Sequence, residues 1–450
     1  GENPDCMPWN IFSPGGVDPE SVSFLTDAIL NEGQTEQLVA GGTIKGSLEG
    51  VGVKSPFADE YANFVVGFEY RKDSLELTPD SSGGFTVIRE PVEGDIEVYE
   101  LFTEVQLALL QDKPMAQELT YTGAYRFSDY TDTTGSQHTY ASGLSWQPVN
   151  DIRLRAQFQR AIRSPNPVEL FSSRAMGRFI LSSGVNGLRD PCAGDFDPAT
   201  ATPSPASSLE ACARTGVTSG QYGQILDAST GQFNSITGGN PDLEPEESDT
   251  WTFGFIYTPE AIPALTVSVD YFDIQVEGFV GTVPPQFALE SCLNSGDAFF
   301  CGLVNRDSTG SLWLVDQEAF ITATNINTGT LKTSGLDLNI GYSLALGEIG
   351  DLRIQYIGTF LDEFEEESLP GSTPFDCAGS YGGVCNTPRP DYRHLASFDY
   401  SRGDKLNARL TWRYVSEVDQ FGANTSPIIS TLDATHYFDV SASYMIQPRV

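Results

Sequence analysis

Six cysteines in three sequence-local pairs are the residues of this chain whose spacing most directly suggests covalent chemistry: Cys192 with Cys212, Cys292 with Cys301, and Cys377 with Cys385. Each pair would close a short loop, which is typical of disulfides in an oxidising compartment. A zinc site would need tighter CxxC spacing and nearby histidines. We therefore expect three disulfides. Cys6 is left over, so its partner would lie ahead of residue 1, or it has none.

A polar segment of roughly 84 residues, from Ser164 to Glu247, carries side chains that suit non-covalent ligand binding. Loops of that length usually have a function or are disordered. Aromatic rings and guanidinium groups together could hold a ligand with planar or anionic parts. The candidate ligand-binding residues are Phe171, Arg174, Arg178, Phe179, Tyr222 and Phe233. The alternative is that the aromatic side chains pack the loop on itself beneath the Cys192–Cys212 bridge.

Two acidic runs could attract a hard cation such as Ca²⁺, which prefers clustered carboxylates. One run lies in LDEFEEES and the other in NPDLEPEE, with the carboxylates of Asp362, Glu363, Glu365, Glu366, Glu367, Asp242, Glu244, Glu246 and Glu247. Neither contains a DxDxDG-type loop, so a solvated acidic surface is the favoured interpretation. We assign no metal ligand and expect no cofactor, with a divalent cation at these acidic loops as the open alternative.

Enzymatic chemistry and nucleic-acid binding have little support in the sequence. We find no Gly-rich phosphate loop, no HExxH and no GxSxG at a strand-to-helix turn. The chain has 25 Lys and Arg against 61 Asp and Glu, a formal net charge of −36, which repels phosphate backbones. We therefore predict a protein that is not an enzyme and does not bind nucleic acid.

The elements that would position these loops are β-strands, because apolar residues recur at every second position almost throughout the chain. For example, Ile152, Leu154 and Phe158 alternate with polar neighbours. Helical patterning is short and confined to loops, around 208–213 and 287–294. We predict an all-β protein with thirteen strands near residues 38–50, 60–72, 96–110, 117–131, 135–147, 151–163, 248–258, 264–277, 328–345, 351–363, 392–401, 405–417 and 435–447.

Short and long connections alternate between these strands, and charged side chains lie opposite the apolar ones. The opposed charges are Arg126, Arg153, Arg155, Asp337, Arg353, Asp399, Arg409, Arg413 and Asp439. No apolar run approaches the ~18–20 residues of a spanning helix. A large antiparallel transmembrane β-barrel accounts for the pattern, with apolar side chains toward lipid and long loops outside the cell. The predicted lipid-facing aromatic row is Trp251, Phe253, Phe255 and Tyr257.

Several stretches resemble the C-terminal barrel of TonB-dependent outer-membrane receptors. The most specific are RAIRSPNPVELF, ending at Phe171, and NPDLEPEESDTW, ending at Trp251, because each joins a barrel strand to a loop with a set residue pattern that a generic porin need not share. LTVSVDYFDIQV, NINTGTLKTSGLDLNIGY and HYFDVSASYMI resemble the same barrel, and NPDCMPWNIFSPGG and FEYRKDSL resemble its middle part. The resemblance covers essentially the whole chain.

The resemblance implies a plugged barrel of about 22 strands in the outer membrane of a Gram-negative bacterium. Residues 1–450 would be part of that barrel, without the plug domain and the first and terminal strands. The implied function is import of a scarce nutrient, such as a ferric chelate, cobalamin or an oligosaccharide, with TonB-derived energy. The implied partners are a TonB-type coupling protein, reached through the plug, a small-molecule ligand and membrane lipid, and a surface lipoprotein is a further candidate. A passive porin and a secreted β-rich binding module are the alternatives.

Overall fold

A computed structural model shows how the predicted strands assemble. It describes residues 12, 15, 19, 32–79, 91–131, 134–181, 189–194, 205–225, 228, 231–313, 318–327, 329–367, 373–385, 387–422 and 430–446. Cys6 lies outside the described residues. Within them, no helix is long and apolar enough to cross a membrane.

Thirteen long strands form one antiparallel sheet in which every strand pairs with its neighbours in sequence order. The strands are β1 (Glu32–Ser47), β2 (Asn63–Thr78), β3 (Val92–Lys113), β4 (Ala116–Tyr130), β5 (Ser136–Val149), β6 (Ile152–Arg163), β7 (Glu246–Tyr257), β8 (Leu265–Glu277), β9 (Thr330–Ala345), β10 (Asp351–Glu366), β11 (Tyr392–Arg402), β12 (Leu406–Val415) and β13 (Thr435–Tyr444). The all-β prediction and its thirteen strands are confirmed. β1 and β13 are the two edges of this sheet.

The register places apolar side chains on one face of the sheet, which we call the apolar face. Phe255 of β7 lies opposite Leu154 of β6 and Val269 of β8, and Val269 in turn lies opposite Leu338 of β9. Residues that are directly opposite share a face because side chains alternate along each strand. The four aromatic residues of the predicted lipid-facing row lie on this face, all of them exposed. Their contact with lipid stays a prediction.

The opposite face, the charged face, carries ion pairs between adjacent strands and across one intervening strand. Arg155 of β6 reaches Asp270 of β8 at 2.6 Å, and Arg126 of β4 contacts Glu100 of β3 at 2.9 Å. Arg409 also pairs with Asp399. Partly exposed pairs of this kind contribute only about 0–1 kcal/mol each to stability. These charged side chains make the face opposite the apolar one polar, as the alternation of apolar and charged residues along the strands predicts.

Strand ends are where the prediction was least accurate. β1 begins at Glu32, ahead of residue 38, and β3 extends over 22 residues, beyond both ends of the predicted 96–110. A register shift between Ala108 and Leu110 adds a residue to β3. The strand ends are rich in polar residues, so the alternation of apolar and polar residues is lost there, although the backbone hydrogen bonding between strands continues. The turn to β4 is correspondingly tight, with Met115 at a φ of 60°.

Between the strands, the described residues form four short α-helices: α1 (Pro167–Phe171), α2 (Leu209–Arg214), α3 (Pro285–Ser295) and α4 (Ala298–Gly302). α2 and α3 coincide with the predicted helical patches. All four lie in the two longest connections, residues 164–245 between β6 and β7 and residues 278–329 between β8 and β9. Both connections leave the sheet at the same end, which we call the loop side.

Candidate functional site

The two longest connections fold together into one unit, the loop module, which comprises the described residues of 164–245 and 278–329. Both connections contribute buried side chains to a common core, which includes Leu181, Cys212, Phe233, Leu289, Leu312 and Ile321. A small sheet joins them as well, because Gln232–Thr237 of the first connection pairs in parallel with Phe320–Thr322 of the second. The remaining strands of this small sheet are Ala175–Ile180 and Val304–Asn305.

Disulfides close three of the loops, as predicted. Cys192–Cys212 and Cys292–Cys301 lie in the loop module, and Cys377–Cys385 lies in the connection between β10 and β11. Cys192, Cys212 and Cys292 are fully buried in the module's core. In the chain-entropy model, each bridge stabilises its loop by about 3 kcal/mol. The module is therefore a covalently reinforced structure.

A buried ion pair locks the two connections to each other. Arg306 donates to both carboxylate oxygens of Asp190, with Nη2 to Oδ1 at 3.0 Å, and the two side chains are 3% and 1% exposed. Arg306 also donates to the Gly310 carbonyl at 2.7 Å and to the Thr215 hydroxyl at 3.0 Å. Buried charges are tolerated only when they are paired and hydrogen-bonded in this way.

A second polar network, the rim anchor, attaches the loop module to the ends of β6 and β7. Arg163 Nε and Nη2 donate to the two carboxylate oxygens of Glu246 at 2.7 and 2.6 Å, and Nη1 donates to Glu169 at 2.9 Å. Glu169 completes a capping box with Asn166 at the start of α1. A bidentate Arg–carboxylate pair has a defined geometry, so it orients α1 relative to the barrel end.

Asparagines extend the rim anchor across the other connection. Asn240 Nδ2 donates to the Asn325 carbonyl at 2.9 Å, and Asn325 Nδ2 donates to the Glu169 carbonyl at 3.1 Å. Asn327 Nδ2 donates to the carbonyls of Glu244 and Gly278, both at 2.8 Å. Three loop segments therefore share one hydrogen-bonded junction directly above the strands.

An apolar contact completes the attachment. Leu170 of α1 and Leu243 are buried against Ile96 of β3, and Phe171 packs against the same cluster. A Cβ on Gly94 would lie 2.0 Å from the Phe171 ring, so glycine is required for this approach. The chain that follows β6 thus lies across the charged face of β3, three strands away. The loop module is consequently held over the charged face of the sheet.

The candidate ligand-binding residues fall into two groups. Phe233 is fully buried, and Phe179 and Tyr222 pack against the module's core, which is the arrangement expected if these aromatic residues pack the loop on itself. Arg174 and Arg178 are exposed. Within the described part of the chain, neither forms an ion pair, and the Arg178 guanidinium donates to Gln232 at a long 3.5 Å. The two arginines therefore remain the residues best placed for ligand contact, which stays a prediction.

The acidic runs are partly engaged with cations of the protein itself. Glu246 belongs to the rim anchor, and Glu363 accepts an ion pair from Lys332 at 2.9 Å. Among the described residues, no group of three or more His, Cys, Asp or Glu side chains has the arrangement of a metal site. A divalent cation at these runs stays a prediction.

Sequence reasoning missed several residues that build the site. Arg306 carries no distinctive motif, and its carboxylate partner Asp190 lies 116 residues away in the chain. The asparagines of the rim anchor lie in family-like stretches, but nothing in the sequence indicates their partners, which are 49 to 156 residues away. Arg163 and Glu246 lie within the two most specific family-like stretches, so the residue patterns of those stretches did indicate where the loop module joins the strands. In the structure, the two stretches are joined there by a bidentate pair between Arg163 and Glu246.

The rim anchor should make stability depend on pH. Burial raises the pKa of the Glu246 carboxyl, but hydrogen bonds from Arg163 and the Val280 amide outweigh it, so this pKa lies below its ordinary 4.5. Glu246 is the first residue of β7 and lies outside the predicted lipid-facing row of Trp251, Phe253, Phe255 and Tyr257. A depressed pKa contributes stability that is complete above 4.5 and is lost as the pH falls through the lower folded-state value.

We therefore expect wild type to be more stable than a Glu246→Gln variant at about pH 7, and the difference to shrink below about pH 4. Because Arg163 is partly exposed, solvent screens the pair and the difference should be about 1 kcal/mol or less. Thermal unfolding of both proteins across this pH range measures it. A stability difference that is constant with pH would contradict the assignment.

Comparison with known proteins agrees with this architecture. The chain matches the family model for "TonB dependent receptor-like, beta-barrel" over residues 12–449. No curated protein sequence matches it. A ferric enterobactin receptor (PfeA) variant from Pseudomonas aeruginosa, solved with enterobactin, superimposes with a TM-score of 0.57 at 14% identity over 92% of this chain and 47% of that chain. The siderophore receptor PirA from Acinetobacter baumannii superimposes with a TM-score of 0.54 at 13% identity, over 92% of this chain and 49% of that chain.

The chain spans about half the length of these receptors. At such identities the likeness establishes the fold alone, and the family model, which covers nearly the whole chain, carries the assignment. Its members are outer-membrane receptors rather than enzymes. From the thirteen-stranded antiparallel sheet and the family match together, we conclude that this chain belongs to the TonB-dependent receptor-like β-barrel family.

Proposed function

We propose that this chain forms part of an outer-membrane receptor that binds a scarce small nutrient at its loop module and imports it with energy delivered by TonB. The observation that carries the proposal is the loop module itself. Two connections form one disulfide-bonded unit, and the rim anchor holds it above the charged face of the sheet. A rigid unit over the barrel opening can present fixed ligand contacts, as preorganised binding requires.

The ligand class stays open among ferric chelates, cobalamin and oligosaccharides. Similar solved structures bear the names of ferric enterobactin and siderophore receptors, which supports the first class. The exposed guanidinium groups of Arg174 and Arg178 suit anionic or hydroxyl-rich groups. The net charge of −36 opposes a strongly anionic ligand and favours a neutral or cationic one.

A passive porin is the second candidate, and energy dependence distinguishes it from an importer. We expect cells that produce the full-length receptor to take up one of three labelled probes: ferric enterobactin, cobalamin or a neutral oligosaccharide. Deleting the TonB gene should reduce uptake at least about tenfold and leave binding to the cell surface unchanged, because coupling acts after binding.

Two outcomes would contradict this proposal. Uptake that persists without TonB would indicate passive diffusion, and a protein that remains soluble without detergent would indicate a secreted binding module.

An Arg174→Gln/Arg178→Gln double variant tests the binding surface in the same assay. Its surface binding should fall about tenfold, equivalent to about 1.4 kcal/mol, with the barrel's thermal unfolding unchanged.

A further inference from the structure

The loop-side ends of β11 to β13, together with the adjacent part of β10, carry a cluster of rings on the apolar face, which we call the aromatic–histidine patch. Its members are Tyr356, Tyr392, His394, Trp412, Tyr414 and His436. His394 lies opposite Tyr414, and Tyr414 lies opposite His436, so the members occupy one face across neighbouring strands. Tyr392 is the first residue of β11 and Tyr414 is the penultimate residue of β12, which places the patch at the loop side.

The rings pack closely around His394. Its centroid lies 4.4 Å from that of Trp412 in an edge arrangement, and 5.3 Å from those of Tyr356 and Tyr414. His436 extends the cluster, at 4.8 Å from Tyr414. Aromatic belts are common where a barrel meets the membrane surface. A belt alone, however, does not require histidines between the rings.

Neutral hydrogen-bonding groups connect the rings of this patch. Tyr356 Oη contacts Tyr392 Oη, which lies 2.9 Å from His394 Nδ1. Trp412 Nε1 donates to His436 Nδ1 at 3.0 Å, and His436 is exposed. The enclosed Nε2 of His394 has no hydrogen-bond partner among the residues that the structure describes. The patch thus combines flat apolar rings with polar atoms.

The two arginines that flank the patch are on the other face. Arg393 and Arg413 alternate with the patch residues along β11 and β12, so they lie on the charged face, where Arg413 pairs with Asp439 at 3.1 Å. A similar cluster lies on the apolar face of β4 and β5, where Tyr125 Oη is 2.7 Å from His138 Nδ1. All three histidines of the chain therefore lie on the apolar face, each hydrogen-bonded to an aromatic side chain.

We propose that the aromatic–histidine patch binds the saccharide headgroup of a glycolipid in the outer leaflet of the membrane. A sugar ring presents C–H groups that stack on aromatic faces and hydroxyl groups that bond to Tyr Oη and His nitrogen atoms. A phosphate headgroup would instead call for Arg or Lys beside the rings, and the flanking Arg393 and Arg413 are on the opposite face. The net charge of −36 also opposes a phosphate-rich headgroup.

Native mass spectrometry of the full-length detergent-extracted receptor tests this, with digalactosyldiacylglycerol and, as the phosphate probe, phosphatidylglycerol of the same acyl chains. We expect the sugar lipid to bind at least about tenfold more tightly than phosphatidylglycerol. A His394→Leu/His436→Leu variant should lose this preference. Phe253→Leu, which removes a ring from the same face nearer the middle of β7, should retain it.

Equal binding of the two lipids, or a preference that survives in the double variant, would overturn the proposal and leave an ordinary aromatic belt. Should the double variant fail to fold, Tyr392→Phe removes only a hydroxyl and keeps the ring. It should weaken sugar-lipid binding several-fold with phosphatidylglycerol binding unchanged, and an unaltered affinity for the sugar lipid would equally overturn the proposal.

Discussion

Replacing Asp190 by alanine should unfold the loop module while the barrel sheet stays intact. The substitution leaves the Arg306 guanidinium, which is 3% exposed, without its counter-ion. Removing one partner of a buried ion pair costs about 3–5 kcal/mol, because the remaining charge is desolvated and unpaired. Asp190 also accepts a hydrogen bond from the Cys192 amide at 3.0 Å, so the disulfide-bonded segment loses a contact too.

Hydrogen-exchange mass spectrometry measures this effect, with faster exchange expected in segments 209–225 and 285–305. The matched control is Lys332→Ala, which breaks a partly exposed pair with Glu363 and should leave stability nearly unchanged, because solvent screens the pair. An Asp190→Leu/Arg306→Met double variant should be less destabilised than Asp190→Ala, because no buried charge remains. Unchanged exchange in Asp190→Ala would show that the pair does not hold the module together.

Replacing Gly239 by alanine should loosen the rim anchor. The added Cβ would lie 2.6 Å from the Leu170 carbonyl oxygen and 2.7 Å from the Ser172 amide nitrogen, both backbone atoms that cannot rotate away. Backbone hydrogen bonds hold the two segments in register, including Gly239 N to the Ser172 carbonyl at 2.9 Å. We expect a cost of about 1–3 kcal/mol, as for an overpacked core, and a corresponding loss of nutrient uptake.

Gly220→Ala is the control in the same connection, because no heavy atom lies within 4 Å of its Cβ position. The measurement is limited proteolysis of residues 164–172 and 238–245 in the folded receptor, together with uptake of whichever probe the receptor imports. Protection of these segments equal to that in wild type would indicate that the junction accommodates the methyl group. Cleavage in the Gly220→Ala control would show that the assay reports general loop sensitivity.

The rim anchor is the contact through which a movement of the loop module would act on the strands of the sheet. Arg163 and Glu246 are the terminal residues of adjacent strands, and the same arginine holds Glu169 of α1. A displacement of the module must therefore act on the ends of β6 and β7 or break a bidentate pair. The defined geometry of this pair is consistent with a module that presents fixed ligand contacts.

Alternating hydrophobicity determined most of the fold from the sequence alone. A strand in a two-faced sheet needs an apolar residue at every second position, and that requirement is local, so β6 and β7 could be placed within two residues of their observed bounds. The disulfides were also predictable, because each pair closes a loop of 8 to 20 residues. The strongly acidic composition likewise argues against nucleic-acid binding, because net charge follows from the residue types and does not depend on how they are folded.

Only the tertiary structure decided how the long connections are organised. Asp190 and Arg306 are 116 residues apart, and the parallel pairing of Gln232–Thr237 with Phe320–Thr322 joins two separate connections. No periodic pattern specifies such pairings, because they depend on which loops pack together above the sheet. The same packing buries Phe233 and leaves Arg174 and Arg178 exposed. The residue types of a loop thus indicate what it could bind, whereas its packing decides which side chains can reach a ligand.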